Sequence, residues 1–377
     1  MSQHLLNTYH QLPLTITKGQ GSYVWDDQDN KYLDFYGGHA VCLLGHCPPA
    51  VTKAIQKQAE TLIFYSNVVA TQPNQQLAEK LAGTFDEAYK VYFSNSGSEA
   101  NEAALKMARK FTGRSEIISF HNAWHGRAVS TLSVTGYTQQ HIFEPNMLEY
   151  THFADFGKIE SVKKHLNKNT AAIILEPIQS IGGLPHAEAN FFTEIARLCK
   201  ENGTLLIFDE VQTGMGRTGD WWYHQTVGVT PDIVTTAKGI ASGVPLSAVF
   251  IHADIAKTIA KGEHATTFGG GALACAAGLA TFEEIQKIRA NTTAVFEQIK
   301  TGIKNIPGIG NIRGKGCLIG IETQKPAKEI VEALRAKKIL VGASSGDKHV
   351  MRVFAPMNSS EAEVTEFLMV LKEVCTS

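Results

Sequence analysis

The chain has 377 residues and a formal net charge of −1, with 35 Lys and Arg against 36 Asp and Glu. That length allows a large buried core and more than one domain, and the near-neutral balance gives no electrostatic case for nucleic acid or an anionic membrane. The opening MSQHLLNTYHQLPLTITKG lacks a secretory signal's features, no apolar run is long enough to span a bilayer, and Cys42, Cys47, Cys199, Cys275, Cys317 and Cys375 form neither a C-x-x-C nor a zinc spacing; a cytoplasmic protein with reduced thiols and no metal site is expected.

Near the start, VWDDQDNKYLDF reads as two strands around a polar turn. The middle alternates apolar strands with amphipathic helices. YKVYFSN is a strand, and SEANEAALKMARKFTG a helix ending at Gly113. SEIISF and TAAIILEP are strands. AEANFFTEIARLCKENG is a helix ending at Gly203, and TLLIFDE, PDIVTTAKG and PLSAVFI are further strands. Such alternation predicts a mostly parallel sheet covered on both faces. The strands run out at Asn95, Glu176, Asp209 and Lys238. Functional groups in open α/β sheets gather beyond the carboxyl ends of strands, which places these four at one edge.

The last hundred or so residues differ. ACAAGLATFEEIQKIRANTTAVFEQIKTGIKNI reads as one long helix, GIGNIRGKGCLIGIE as a glycine-bounded hairpin, AKEIVEALRAKK as a helix, ILVG and HVMRVFAP as strands, and SEAEVTEFLMVLKEV as a terminal helix. The expected division is an N-terminal segment, 1–46, packing with the small domain, a large domain over 47–270 and a smaller α+β domain over 271–377.

Several residues carry chemistry. Lys238, after an apolar strand, is either a desolvated amine able to form a Schiff base or a lysine snorkelling at a strand end. Asp209 could pair with a protonated pyridine nitrogen, hold a magnesium ion or cap the next element. Ser96, Gly97 and Ser98 open a helix and suit either a phosphate or an ordinary N-cap with Glu99. In HNAWHGR, Trp124 could stack on a planar cofactor and Arg127 could clamp a carboxylate. His121 and His125 lack a metal-binding context and read as hydrogen-bonding groups beside the site. TTFGGGALAC is a second phosphate grip or a tight domain junction. His39 and His46 are expected to be structural.

Taken together and in order, YLDFYGGHAVCLLGHCPPAV, SNSGSEANEAALKMARK, HNAWHGR, EPIQ, FDEVQTGMGRTG, TPDIVTTAKG, TTFGG and RVFAP resemble the class III (ornithine-type) aminotransferases. These are fold-type I pyridoxal-phosphate enzymes. Within the class the likeness is nearest to acetylornithine and succinylornithine aminotransferases, and it runs through nearly the whole chain. The resemblance implies pyridoxal 5'-phosphate held by Lys238, with Asp209 on its pyridine nitrogen and Gln212 on its ring hydroxyl. Gly97 and Ser98 would bind its phosphate, and Trp124 would stack where the family usually has phenylalanine. Thr267 would reach the phosphate across a homodimer with shared sites. Arg127, Thr266 and Arg352 would bind substrate, Arg127 holding the substrate's α-carboxylate and Arg352 the α-carboxylate of 2-oxoglutarate. Glu176 would orient neighbours.

The implied reaction moves the δ-amino group of an N2-acylornithine to 2-oxoglutarate, in arginine biosynthesis. Alternatives are other ω-amino donors (ornithine, 4-aminobutyrate, acetyl-lysine or succinyldiaminopimelate), a semialdehyde aminomutase, a nucleotide-binding oxidoreductase, or a non-catalytic binding protein on the same fold. The absence of G-x-G-x-x-G after the first strand argues against the oxidoreductase. One departure stands out: EPIQSIGG replaces the family's usual EPIQGEGG. Ile181 then stands where a glutamate would neutralise Arg352, which predicts an unpaired Arg352 and a preference for a donor with an extra carboxylate.

Overall fold

The computed structural model describes residues 4–6, 8–137, 150–185 and 187–376; of the N-terminal stretch, residues 1–3 and 7 lie outside them. In chain order, strands β1 (Ile16–Gln20), β2 (Tyr23–Asp26) and β3 (Lys31–Asp34) form an antiparallel meander. Helices α1 (Pro49–Thr61) and α2 (Gln72–Ala82) follow, each with proline in its first turn, where no hydrogen bond is lost. Next come β4 (Tyr89–Ser94), α3 (Gly97–Thr112), β5 (Glu116–Phe120), β6 (Thr151–Ala154) and β7 (Thr170–Leu175). After α4 (Ala189–Asn202) come β8 (Leu205–Asp209), β9 (Ile233–Thr236) and β10 (Ser247–His252).

These strands build a seven-stranded sheet in the order β4-β10-β9-β8-β7-β5-β6. It is parallel except for β10, which runs antiparallel to both neighbours. Alternate residues take opposite faces. Ala172, Ile174, Leu205 and Ile207 pack under the alanines of α3, and Ile173, Leu175, Leu206 and Phe208 pack with Phe192 and Ile195 of α4. Ala100, Ala103, Ala104 and Ala108 are all fully buried, letting α3 lie close on the sheet. Left-handed Gly113 and Gly203 terminate α3 and α4, as expected of glycine at a helix C-cap.

The stretch 274–306 is not one helix. It divides into α5 (Ala272–Ile288) and α6 (Asn291–Gly302). At the break Thr292 Oγ1 donates to the Arg289 carbonyl at 2.8 Å, and the Arg289 guanidinium donates to the Gly219 carbonyl at 2.9 Å. The hairpin β11 (Ile309–Lys315) and β12 (Leu318–Thr323) follows, then α7 (Ala327–Ala336). The ILVG segment splits into β13 (Ile339–Leu340) and β14 (Gly342–Ala343). β13 pairs in parallel with β3, whereas β14 joins β15 (Val350–Val353) in an antiparallel sheet ordered β11-β12-β15-β14. Helix α8 (Glu361–Thr376) closes the chain. All six cysteines are free. Among the described residues no helix is long and apolar enough to cross a membrane.

Candidate active site

The carboxyl ends of β4, β5, β7, β8 and β9 open on one cavity of about 820 Å³. Lys238, Asp209, Gln212, Glu176, Trp124, Arg127, Asn95, Gly97, Ser98 and Ile181 all line it. Arg352, Thr266 and Thr267 do not.

Lys238 lies two residues past the end of β9, opening a 3-10 turn over Lys238–Ala241. Its φ of +46° is a left-handed conformation unusual for a side chain of this size. Burial lowers its pKa to about 8, against the pull of Asp209 and Glu176, and the Arg217 and Arg352 charges add to the lowering. Gly239 behind it has no room for a side chain, since a Cβ there would meet Leu43 Cδ1 at 2.1 Å.

Asp209, at the end of β8, is only 3% exposed. Asn101 Nδ2 and His125 Nδ1 each lie 2.7 Å from its Oδ2, and Val211 N donates to its Oδ1 at 3.1 Å. Asn101 was not singled out from sequence, yet it ties four segments together. Its Nδ2 also donates to the His125 carbonyl at 2.8 Å, and its Oδ1 accepts from Thr235 Oγ1 at 2.6 Å. The sequence signal was an amide on the alanine face of α3.

Glu176 is buried one residue past β7, accepting from Trp124 N at 2.7 Å. Burial and the Asp209 charge push its carboxyl up. His121 departs from its reading as a group beside the site. Its side chain is exposed outside the cavity against Phe153, while its backbone N–H donates to the Ala154 carbonyl at 3.0 Å and its carbonyl accepts from Gln179 Nε2. Turning the chain at left-handed Asn122 sends His121 and His125 apart.

At the N-terminus of α3, Ser96 and Glu99 form a capping box, leaving the Gly97 and Ser98 region facing the cavity. A Cβ on Gly97 would meet Val211 at 3.0 Å. Ser98 Oγ is committed to the loop after β5, accepting from Arg127 N at 3.2 Å and Ala128 N at 3.0 Å. The Arg127 guanidinium stacks 4.7 Å from the Trp124 ring centre. Gln212 Oε1 is buried without a partner among the described residues. Thr266 Oγ1 accepts from Asn95 Nδ2 at 3.3 Å at the cavity's edge, and Thr267 is exposed.

Arg352, on β15, is 4% exposed. Its Nε donates to the Ala343 carbonyl at 3.2 Å, and its Nη1 has no partner among the described residues. Desolvation lowers its pKa, opposed by Tyr36 and Glu176. Ile181 lines the cavity, its carbonyl fastened by Ser344 Oγ at 2.9 Å and Gly346 N at 2.9 Å. His39, expected to be structural, lies on the cavity wall. Among the described residues no group of three or more His, Cys, Asp or Glu is placed to hold a metal.

A buried amine on one strand end, a doubly held carboxylate on the next and a helix N-terminus above them form the site of a fold-type I pyridoxal-phosphate-dependent transferase. The mixed sheet is its large domain, and the β11–β15 region belongs to its smaller α+β domain. The family described as aminotransferase class-III matches residues 5–375, and the chain belongs to it. An acetylornithine aminotransferase of Oceanobacillus iheyensis is 39% identical, covering 99% of this chain and 96% of that protein. One from Aquifex aeolicus is 36% identical over 98% and 99%. Among solved structures, an ornithine aminotransferase from Toxoplasma gondii superposes with a TM-score of 0.93 at 28% identity, covering 99% of this chain and 93% of that one. An acetylornithine aminotransferase from Elizabethkingia anophelis gives 0.87 at 27%, covering 99% and 96%.

Proposed function

We propose that this chain binds pyridoxal 5'-phosphate in the described cavity and moves the δ-amino group of an N2-acylornithine to 2-oxoglutarate, a step of arginine biosynthesis. The observation that carries the reading is the buried Lys238 sharing one cavity with the clamped Asp209. The residues fit the cofactor. Gln212 Oε1, buried and unpaired, is placed to meet the ring hydroxyl. The α3 N-terminus around Gly97 and Ser98 offers backbone N–H groups to the phosphate. Trp124 supplies the stacking face and Asp209 the partner for the pyridine nitrogen. When bound, the cofactor supplies an electron sink for the carbon that loses its proton.

The chain supplies the rest. A Lys238 amine brought to about 8 has a neutral fraction near neutral pH, so its Nζ can attack a carbonyl and then carry the proton from the substrate carbon. Arg127, at the cavity wall beside Trp124, would hold the donor's α-carboxylate. Thr266 would contact substrate from its place against Asn95. Arg352 would hold a carboxylate of 2-oxoglutarate, which the unpaired Nη1 favours. Thr267, exposed on one subunit, would complete the phosphate site of its neighbour in a homodimer.

With isoleucine at 181, a donor without a second carboxylate leaves Arg352 unpaired, whereas N2-succinylornithine can pair it. The succinyl donor should therefore be used at least as well as the acetyl donor. The test is a spectral titration of cofactor-loaded protein without keto acid, adding N2-acetylornithine, N2-succinylornithine, ornithine or 4-aminobutyrate separately. Conversion of the aldehyde to the amine spectrum by the acylornithines alone is expected. Conversion only by ornithine or 4-aminobutyrate would reassign the donor. A higher rate with the acetyl compound, unaltered by Arg352→Gln, would remove the succinyl preference.

A further inference from the structure

The segment Gly37–Ala40 runs through consecutive left-handed residues, with φ of 56°, 57°, 64° and 64°. Glycine takes this conformation readily, but His39 and Ala40 do so at a cost. Strained non-glycine residues persist where surrounding structure over-determines them, and they cluster at functional sites. The strain here brings the His39 ring onto the wall of the cavity that holds Lys238.

Two aromatic contacts fix that ring. It stands edge-on to Tyr36 at 5.3 Å and lies 6.5 Å from Phe354, which is itself 5.6 Å from the Arg352 guanidinium. Tyr36 is wedged against Gly342, where a Cβ would meet its ring at 2.6 Å and Arg352 Nη2 at 3.7 Å. His39, Tyr36 and Arg352 therefore meet around Phe354, and of the three it is His39 that lines the cavity. The Tyr36 hydroxyl hydrogen-bonds His39 Nδ1. Burial keeps the phenol protonated; in the tautomer where that hydroxyl donates to Nδ1, the imidazole proton resides on Nε2. Nε2 has no hydrogen-bond partner among the described residues. Burial, with the Arg352 and Lys238 charges nearby, drives His39 down to about 3, so the ring is neutral near neutral pH.

We propose that His39 is a substrate-binding residue whose Nε2–H, set by Tyr36, joins the unpaired Arg352 Nη1 to form a subsite for a carboxylate. The proposal rests on reading Arg352 as the group that receives a substrate carboxylate, and it adds the second donor. A carboxylate has lone pairs for both, and Ile181 on the same wall offers no competing acid. His39 thus determines specificity for an acidic chain end in whichever substrate occupies this corner.

The test is calorimetric titration of the cofactor-loaded protein with glutarate, a dicarboxylate that cannot react, and with butyrate as the monocarboxylate control. The proteins are wild type, His39→Leu, His39→Asn, Tyr36→Phe and Arg352→Gln. Loss of one hydrogen bond to a charged group is expected to weaken glutarate binding to His39→Leu by about tenfold or more, with butyrate unchanged. His39→Asn, which keeps a side-chain donor, should recover part of the affinity, and Tyr36→Phe should fall in between. In steady state, His39→Leu should raise KM for 2-oxoglutarate and leave kcat within about twofold. Glutarate affinity within twofold of wild type in both His39 variants, or equal losses for glutarate and butyrate, overturns the proposal. If Arg352→Gln alone abolishes glutarate binding, the role of His39 falls while that of Arg352 stands; if neither matters, both fall.

Discussion

Asp209 receives two donors on a single oxygen, and both come from residues outside its own strand: Asn101 on α3 and His125 after β5. His125 is 2% exposed and its Nε2 has no partner among the described residues, so its one bond is the one that holds the carboxylate. His125 acts through Asp209 by positioning it, which separates the kinetic constants. A hydrogen bond to a charged group contributes about 1.5–3 kcal/mol, which corresponds to roughly ten- to a hundredfold in rate. His125→Phe should lower kcat by about that factor and leave KM for 2-oxoglutarate within about twofold. A changed KM with kcat intact would assign His125 to substrate binding instead. Lys238, Asp209, Glu176 and Asn95 were legible in sequence because each follows an apolar run that had to be a buried strand, and strand ends gather at one edge. Asn101 was not singled out, and His39 was read as structural. The partners of Asn101 come from separate segments that meet only in the folded sheet, and the left-handed run that turns His39 inward leaves no mark beyond Gly37 and Gly38.

His46 works at the level of elements. It follows the left-handed segment, bridges to Gly21 in the β1–β2 turn, and reaches Asp34 Oδ2 at the end of β3 at 2.7 Å, with Cys42 Sγ 3.6 Å from its other nitrogen. The Asp34 hydrogen bond, then Cys42, raises its pKa from 6.5 to about 10. The folded state therefore holds a proton that the unfolded chain releases near 6.5. That stabilisation is complete below pH 6.5 and is lost as pH rises through about 10. The difference in melting temperature between wild type and His46→Gln should be largest near pH 6 and shrink towards pH 10; a difference that grows with pH would mean that His46 is neutral in the fold. Most helices and strands of the large sheet were readable from periodicity and glycine caps. The reading of 274–306 as one helix failed at a local cause, since Thr292 and Arg289 spend their polar groups on carbonyls. The ILVG strand divided because Ile339 and Gly342 find partners in different sheets, a choice made by tertiary pairing.

For the whole molecule, the most conspicuous surface is apolar. Ile63, Phe64, Tyr65, Val68 and Val69 are exposed, and Phe268, 65% exposed, packs at a tilt against Phe64 with ring centres 5.4 Å apart. Contiguous apolar surface of this kind marks an interaction site, and it adjoins Thr267, which supports the shared-site dimer. Replacing Phe64 and Phe268 together by glutamate should convert a dimer to monomers in sedimentation and reduce activity with it. A persistent dimer would place the interface elsewhere, and a fully active monomer would end the role given to Thr267.

The antiparallel β10 has a further consequence, felt while the protein is being made. Among the described residues β4 forms its ladder only with β10, and the hydroxyls of Ser94 and Ser247, 2.7 Å apart in the fold, are 153 positions apart in the chain. At about 5–20 residues per second, the ribosome takes on the order of 10–30 s to deliver that partner. Throughout that interval Val91 and Phe93 sit on a strand with both edges open, the form most prone to pair with another nascent chain. With β10 lying between β4 and β9, the emerging polypeptide is expected to need protection from such pairing until residue 252 has cleared the exit tunnel.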